Sequence, residues 1–188
     1  VAAEGAGCYF ALIRRFGNSG SMMTDNADCF PPPAHDHGDC VKAALDVATN
    51  TCEQQGARLT ALRRRVLELV WSSHAPVGAY ALLDLLRTEG HAAAPPTVYR
   101  ALDFLLEHGL IHRLERLNAF VGCPHPTSPH DGQFLICHGC GRAAELADPA
   151  IDQAVQRRAG ALGFTVLRQT IEVEGLCPDC RAQEPKAG

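Results

Sequence analysis

Four runs of apolar positions at helical spacing organise the first two thirds of the chain. After Asp39, a residue type that caps helices, Val41, Ala44, Leu45, Ala48 and Cys52 recur every three or four positions until Gly56. Thr60 caps a second run with Leu62, Val66, Leu69 and Val70 on one face and Arg63, Arg64 and Arg65 on the outer one. Gly78 opens a third, with Leu82, Leu83 and Leu86 inward, and Gly90 closes it. Pro95-Pro96 open a fourth, because proline suits a first helical turn, with Val98, Leu102, Leu105 and Leu106 on its apolar side and Gly109 as its stop. Ile111 to Glu115 and Ala119 to Cys123 then flank Leu117-Asn118 as a short hairpin. Helix, turn, helix and hairpin in this order predict a winged helix-turn-helix; periodicity alone leaves a plain helical bundle as the alternative.

Beyond Gly132 the pattern changes. Phe134-Leu135-Ile136 and Arg142 to Leu146 read as strands. Asp148-Pro149 start a helix with Ile151, Val155, Ala159 and Leu162 inward, and Thr165, Leu167, Ile171 and Val173 alternate along one long strand. The fold class is therefore α+β: an N-terminal winged helix-turn-helix followed by a small α/β domain. The second part is small enough that dimerisation is expected. The predicted organisation is a flexible extension over 1–40, a winged-helix DNA-binding domain over 41–123, a hinge and metal loop over 124–132, an α/β dimerisation domain over 133–182, and a tail over 183–188.

Composition narrows the class. An apolar share of 46% and a charged share of 20% fit a soluble globular chain, and no apolar run reaches the length of a membrane span. Arg14-Arg15 follow the short N-terminal apolar patch instead of preceding it, the wrong order for a secretory signal, so a cytoplasmic protein is expected. The chain starts with Val1; translation from Met22 or Met23 would make residues 1–21 an upstream extension. The net charge of −4 is uneven: residues 41–116 carry +1 and hold the Arg63 to Arg65 run, while both flanks are acidic. A pI near 6 is compatible with DNA binding through one basic face.

Nine cysteines in a reducing compartment point to metal or redox chemistry. Cys137-His138-Gly139-Cys140 and Cys177-Pro178-Asp179-Cys180 are two CxxC turns, and four thiolates close a tetrahedron around a structural zinc. A thioredoxin-like redox pair is a weaker reading, since two motifs are present. Cys123, His125, His130 and Asp131 remain nearby, with His112 before them and Glu145 after, and this mixture of imidazole, thiolate and carboxylate suits a second zinc. Solvated loop histidines are the alternative. Cys8, Cys29, His35, His37 and Cys40 lie in or beside the N-terminal extension and receive no role.

RLTALRRRVLELV, AYALLDLLR, PPTVYRALDFLLEHGLIHRLE, FLICHGCGRAAEL and GFTVLRQTIEVEGLCPDC together resemble the ferric uptake regulator family, most closely its zinc-sensing branch, over about residues 41–182. Residues 1–40 have no counterpart. The resemblance implies a homodimeric bacterial repressor that binds a palindromic double-stranded operator when its sensing metal is bound. It implies His112, Cys123, His130 and Glu145 as the regulatory ligands, with His125 and Asp131 as rivals to His130. It implies Cys137, Cys140, Cys177 and Cys180 as the structural ones, hence about two Zn2+ per chain. The thiolate of Cys123 independently favours zinc over iron or manganese.

In a helix-turn-helix the recognition helix offers its N-terminal residues to base edges, here Thr97, Tyr99 and Arg100. Tyr80 starts the preceding helix, and Arg63, Arg64 and Arg65 suit phosphates. Iron, manganese or peroxide sensing within the same family is the alternative function. A zinc enzyme using His112, Cys123, His130 and a water is a further one, but no HExxH-type motif supplies a base. Neither a membrane nor a small-molecule substrate is expected as a partner.

Overall fold

A computed structural model describes residues 30, 37–73, 75–126, 130, 132–146 and 148–183. The chain falls into two compact units that divide between residues 128 and 129.

The first unit holds α1 (His37–Gln54), α2 (Ala61–Trp71), β1 (Val77–Gly78), α3 (Ala79–Thr88), α4 (Pro95–Glu107), β2 (Ile111–Leu114) and β3 (Ala119–Gly122). The first helix starts two residues before the expected cap, so Asp39 lies inside its first turn, where a carboxylate still favours the helix dipole. Thr60 does cap α2: its hydroxyl accepts from the Arg63 N–H at 3.4 Å. Leu82, Leu86, Val98, Leu102, Leu105 and Val66 are fully buried in one core, each contributing about 1.5–3 kcal/mol by leaving water. Leu62 and Leu106, also expected inward, are half-buried at its margin.

The sheet excludes the plain bundle. β3 pairs antiparallel with β2, His112 lying opposite Val121, and β1 adds a third strand with Val77 opposite Phe120. β1 is only two residues long and was not expected; Gly78 both ends it and caps α3. Asn118 turns the β2–β3 hairpin at φ 45°, a left-handed conformation that asparagine tolerates, and its side chain accepts from Arg113 at 3.0 Å. This is a helix-turn-helix, α3 to α4, with a β wing.

The second unit holds β4 (Gly132–Cys137), β5 (Ala143–Glu145), α5 (Pro149–Ala161), β6 (Thr170–Gly175) and α6 (Pro178–Gln183). Its sheet runs β5-β4-β6, antiparallel on one side of β4 and parallel on the other. Asp148 caps α5 by accepting from Ala150 N–H at 2.9 Å.

Two expectations fail here. The long strand from Thr165 shortens to Thr170–Gly175, and Leu167 is 94% exposed. No residue of α5 is buried, so Ile151, Val155, Ala159 and Leu162 do not face a core within one chain. Three strands, one of them three residues long, are too little surface to cover that helix face. Among the described residues no helix is long and apolar enough to cross a membrane.

Candidate metal centre and nucleic-acid interface

Cys137 ends β4, Cys140 closes the turn after it, Cys177 follows β6, and Cys180 lies on α6. The parallel pairing of β4 with β6 brings both turns to the same end of the sheet, with Cys137 opposite Gly175. All four sulfurs lie within 4.8 Å of one another, and none is in a disulfide. The turns are locked by backbone donors: Cys177 N–H reaches Cys137 Sγ at 3.3 Å, Cys180 N–H reaches Cys177 Sγ at 3.5 Å, and His138 N–H reaches Gly175 O at 2.8 Å. Gly139 is required, because a Cβ there would stand 2.9 Å from Cys180 Sγ.

The electrostatics ask for a cation. Burial pushes the Cys137 thiol up, but N–H donors from Cys177 and Cys140 outweigh it and bring it down to about 6. Cys180 moves the other way, pushed up to about 12, first by its hydrogen bond with Cys177 and then by burial. Four sulfurs this close cannot all ionise unaided. Four soft donors at one point fit a tetrahedral zinc, which ionises them all.

Sequence reading missed Arg142. Its guanidinium donates to Cys140 Sγ at 3.2 Å, Cys177 Sγ at 3.3 Å and Asp179 Oδ2 at 2.6 Å. A cation beside the thiolates offsets part of their negative charge, and the Arg two residues after Cys140 was the available signal. His138 sits in the turn and is not among the clustered donors.

The remaining candidates group by unit. In the first, His112 on β2 and Cys123 just beyond β3 hold their donor atoms within 4.8 Å of each other. Cys123 is buried, and its N–H donates to Leu110 O at 3.1 Å. His125 is half-buried on the loop that follows. In the second, His130 Nε2 lies 2.8 Å from Glu145 Oε1, with the Glu145 side chain only 4% exposed at the end of β5. Asp131, Cys8, Cys29, His35, Met22 and Met23 lie outside the described residues. The first pair combines an imidazole with a soft thiolate and the second an imidazole with a harder carboxylate, all donors that zinc accepts.

On the helix-turn-helix, Tyr80 at the start of α3 is 67% exposed and Tyr99 on α4 is 41% exposed. Arg100 is exposed and Thr97 half-buried in the same first turns of α4. The arginine run is less available than its sequence suggests. Arg63 stacks over Phe104 at 3.6 Å and donates to Arg58 O at 2.7 Å. Arg64 pairs with Glu68 at 3.5 Å, and Arg65 is held by Glu68 and Glu89.

Known proteins share much of this sequence and fold. The profile of the Ferric uptake regulator family matches residues 54–174. The zinc uptake regulation protein of Escherichia coli (strain K12) is 40% identical over 137 residues, covering 72% of this chain and 80% of that protein. Among solved structures, a zinc uptake regulator complexed with zinc and DNA superposes with a TM-score of 0.72 at 38% identity, covering 76% of this chain and 95% of that one. Holo XcZur gives 0.69 at 47% identity, covering 74% and 98%.

Proposed function

Because the chain belongs to the ferric uptake regulator family, we propose that it is a zinc-responsive DNA-binding repressor, shutting off zinc-uptake genes when zinc-loaded. The observation that carries the zinc reading is the pairing of a buried thiol, Cys123, with His112 in the wing, apart from the four-cysteine cluster. A buried thiolate donor favours zinc over iron or manganese, and it leaves the iron-sensing alternative weaker.

Two ions serve each chain. Cys137, Cys140, Cys177 and Cys180 hold a structural zinc whose binding energy is folding energy for the second unit. His112 and Cys123 from the first unit, with His130 and Glu145 from the second, hold the regulatory zinc. When bound, that ion supplies a charge-neutralising link among four donors. The chain's own part is to keep two donors on each unit, so that loading restrains how α4 is offered to DNA. Zinc and operator affinities then raise each other by one factor, typically about 1–3 kcal/mol.

In this reading residues 41–123 are the DNA-binding domain and 133–182 the dimerisation domain, with 124–132 between them. Thr97, Tyr99 and Arg100 read bases in the major groove, Tyr80 supports them, and Arg64 meets phosphate; Arg63 and Arg65 act chiefly within the domain. A palindromic operator matches a two-fold dimer. The dimer covers what one chain leaves bare: Leu162 and Phe164 are 79% and 67% exposed beside Ala159 and Val155, and β6 pairs on one side only among the described residues. An exposed apolar patch and an unpaired strand edge each mark an interface. The protein is a cytoplasmic regulator and not an enzyme.

The deciding experiment is operator binding of the full chain with zinc, with a chelator, and with Cys123→Ser. Zinc promotes binding, chelation abolishes it, and Cys123→Ser loses the response while remaining a folded dimer. A normal zinc response in that variant rejects the regulatory site.

A further inference from the structure

We infer that Trp71 is a positioning residue for the sensing metal: by packing its indole against Gly122, it sets where the Cys123 thiolate stands. The inference rests on Cys123 being a regulatory ligand. Trp71 is the last residue of α2 and the single tryptophan of the chain. It is 6% exposed. Gly122 ends β3 directly before Cys123. A Cβ added at Gly122 would overlap indole atoms Cε2, Nε1 and Cδ2 of Trp71. No side chain fits there, so the strand end can approach α2 only because position 122 is glycine.

Three constraints then converge on one thiol. Gly122 pairs with Ile111 across the wing, Cys123 N–H donates to Leu110 O at 3.1 Å, and the indole blocks the remaining side of Gly122. Backbone immediately before and at Cys123 is thus held from both the strand and the helix. The thiol and the indole also line one apolar cleft with Cys40, Ala44, Leu67 and Leu110, and Cys123 is 2% exposed. A dry wall keeps water from the sulfur on that side. Ligands must be held within a fraction of an ångström for tight metal binding, and their supporting contacts matter nearly as much as the ligands. The arrangement also joins a metal ligand to α2, a helix that packs on α4. A purely structural tryptophan would support stability and leave zinc affinity alone.

The test is chelator-competition measurement of the regulatory zinc in the full chain, with the structural zinc retained. Gly122→Ala weakens that zinc by about ten- to a hundredfold, the range for lost supporting contacts. Trp71→Leu in the Gly122→Ala background clears the ring and recovers much of the loss. Trp71→Phe, which leaves a gap under Gly122 without a clash, gives a smaller loss and decides the matter if Gly122→Ala does not fold. In the unaltered chain, the second zinc equivalent shifts Trp71 fluorescence.

Wild-type affinity in folded Gly122→Ala or Trp71→Phe, a double variant no better than Gly122→Ala, or an indole silent to zinc overturns the inference. Cys123→Ser with full zinc affinity overturns the ligand assignment and this inference with it. Cys123→Ser losing the zinc while Gly122→Ala and Trp71→Phe keep it overturns the positioning role alone.

Discussion

Arg65 grips Glu89 with two nitrogens, Nε to Oε2 at 2.8 Å and Nη2 to Oε1 at 2.5 Å, while its Nη1 holds Glu68 at 2.7 Å. Glu89 is the C-cap of α3, at the start of the turn that leads into α4. The fork of the guanidinium is filled, so Arg65 braces α2 against that turn. The same hydrogen bond holds the Glu89 carboxyl below its usual range. Arg65→Ala and Glu89→Gln should therefore both weaken operator binding, with the salt dependence unchanged. A phosphate contact predicts otherwise: losing Arg65 would reduce the slope of affinity against salt by about 1, and Glu89→Gln would free the arginine and strengthen binding. Titration of each variant at several salt concentrations separates the two.

Arg100 stands exposed in the opening turns of α4. Arg100→Ala should cost about 1–3 kcal/mol on the operator and much less on random DNA. Anisotropy titrations against both duplexes check it, and equal losses would remove its base-reading role.

Cys177→Ser opens the four-sulfur cluster. Metal analysis should show loss of the proposed structural zinc, and thermal melting should show the second unit destabilised but still folded at low temperature, because on that proposal the zinc adds to its folding energy. The helices of the first unit should keep their signal, since their core contains none of the four cysteines.

In metal-stripped protein the thiols alone predict a pH optimum. Cys137 titrates in the fold at about 6, below the ordinary 9.0, so its contribution is complete above pH 9 and is lost as pH falls toward 6. Cys180 titrates at about 12, above 9.0, so its contribution is complete below pH 9 and is lost as pH rises toward 12. The urea midpoint should peak near pH 9 and fall on both sides. Zinc should flatten the alkaline limb, as the metal keeps all four sulfurs ionised.

Leu162→Asp places a charge on the uncovered face of α5, where Leu162 is 79% exposed. Sedimentation should show a shift from dimer to monomer without loss of the structural zinc. An unchanged dimer would move the interface elsewhere.

The first unit was legible because its helices bury one stripe each against a core inside the same chain, so period and burial agree at Val66, Leu82, Leu102 and Leu105. The CxxC pairs were legible because their ligands are consecutive turns. Three features were hidden for physical reasons. β1 is two residues long, too short to show alternation. The apolar face of α5 reads like any amphipathic helix, and sequence does not say whether its cover is the same chain or another. Arg63 and Arg65 look like a solvated basic run, while their partners Phe104 and Glu89 are far along the chain. Arg142 offered one signal, its position two residues after Cys140, but that spacing gains meaning only beside the sulfurs it contacts.

The parallel pairing of β4 with β6 also imposes an order in time. During synthesis the first cysteine turn emerges well before the second, Cys140 and Cys177 being 37 positions apart. At ordinary elongation speeds that interval is about 2–7 s. Through it, the reading head is already outside the ribosome with all of its helices, while the nascent chain carries an open dithiol exposed to whatever metal the cell offers. Closure of the four-sulfur cluster therefore waits for the second turn to emerge.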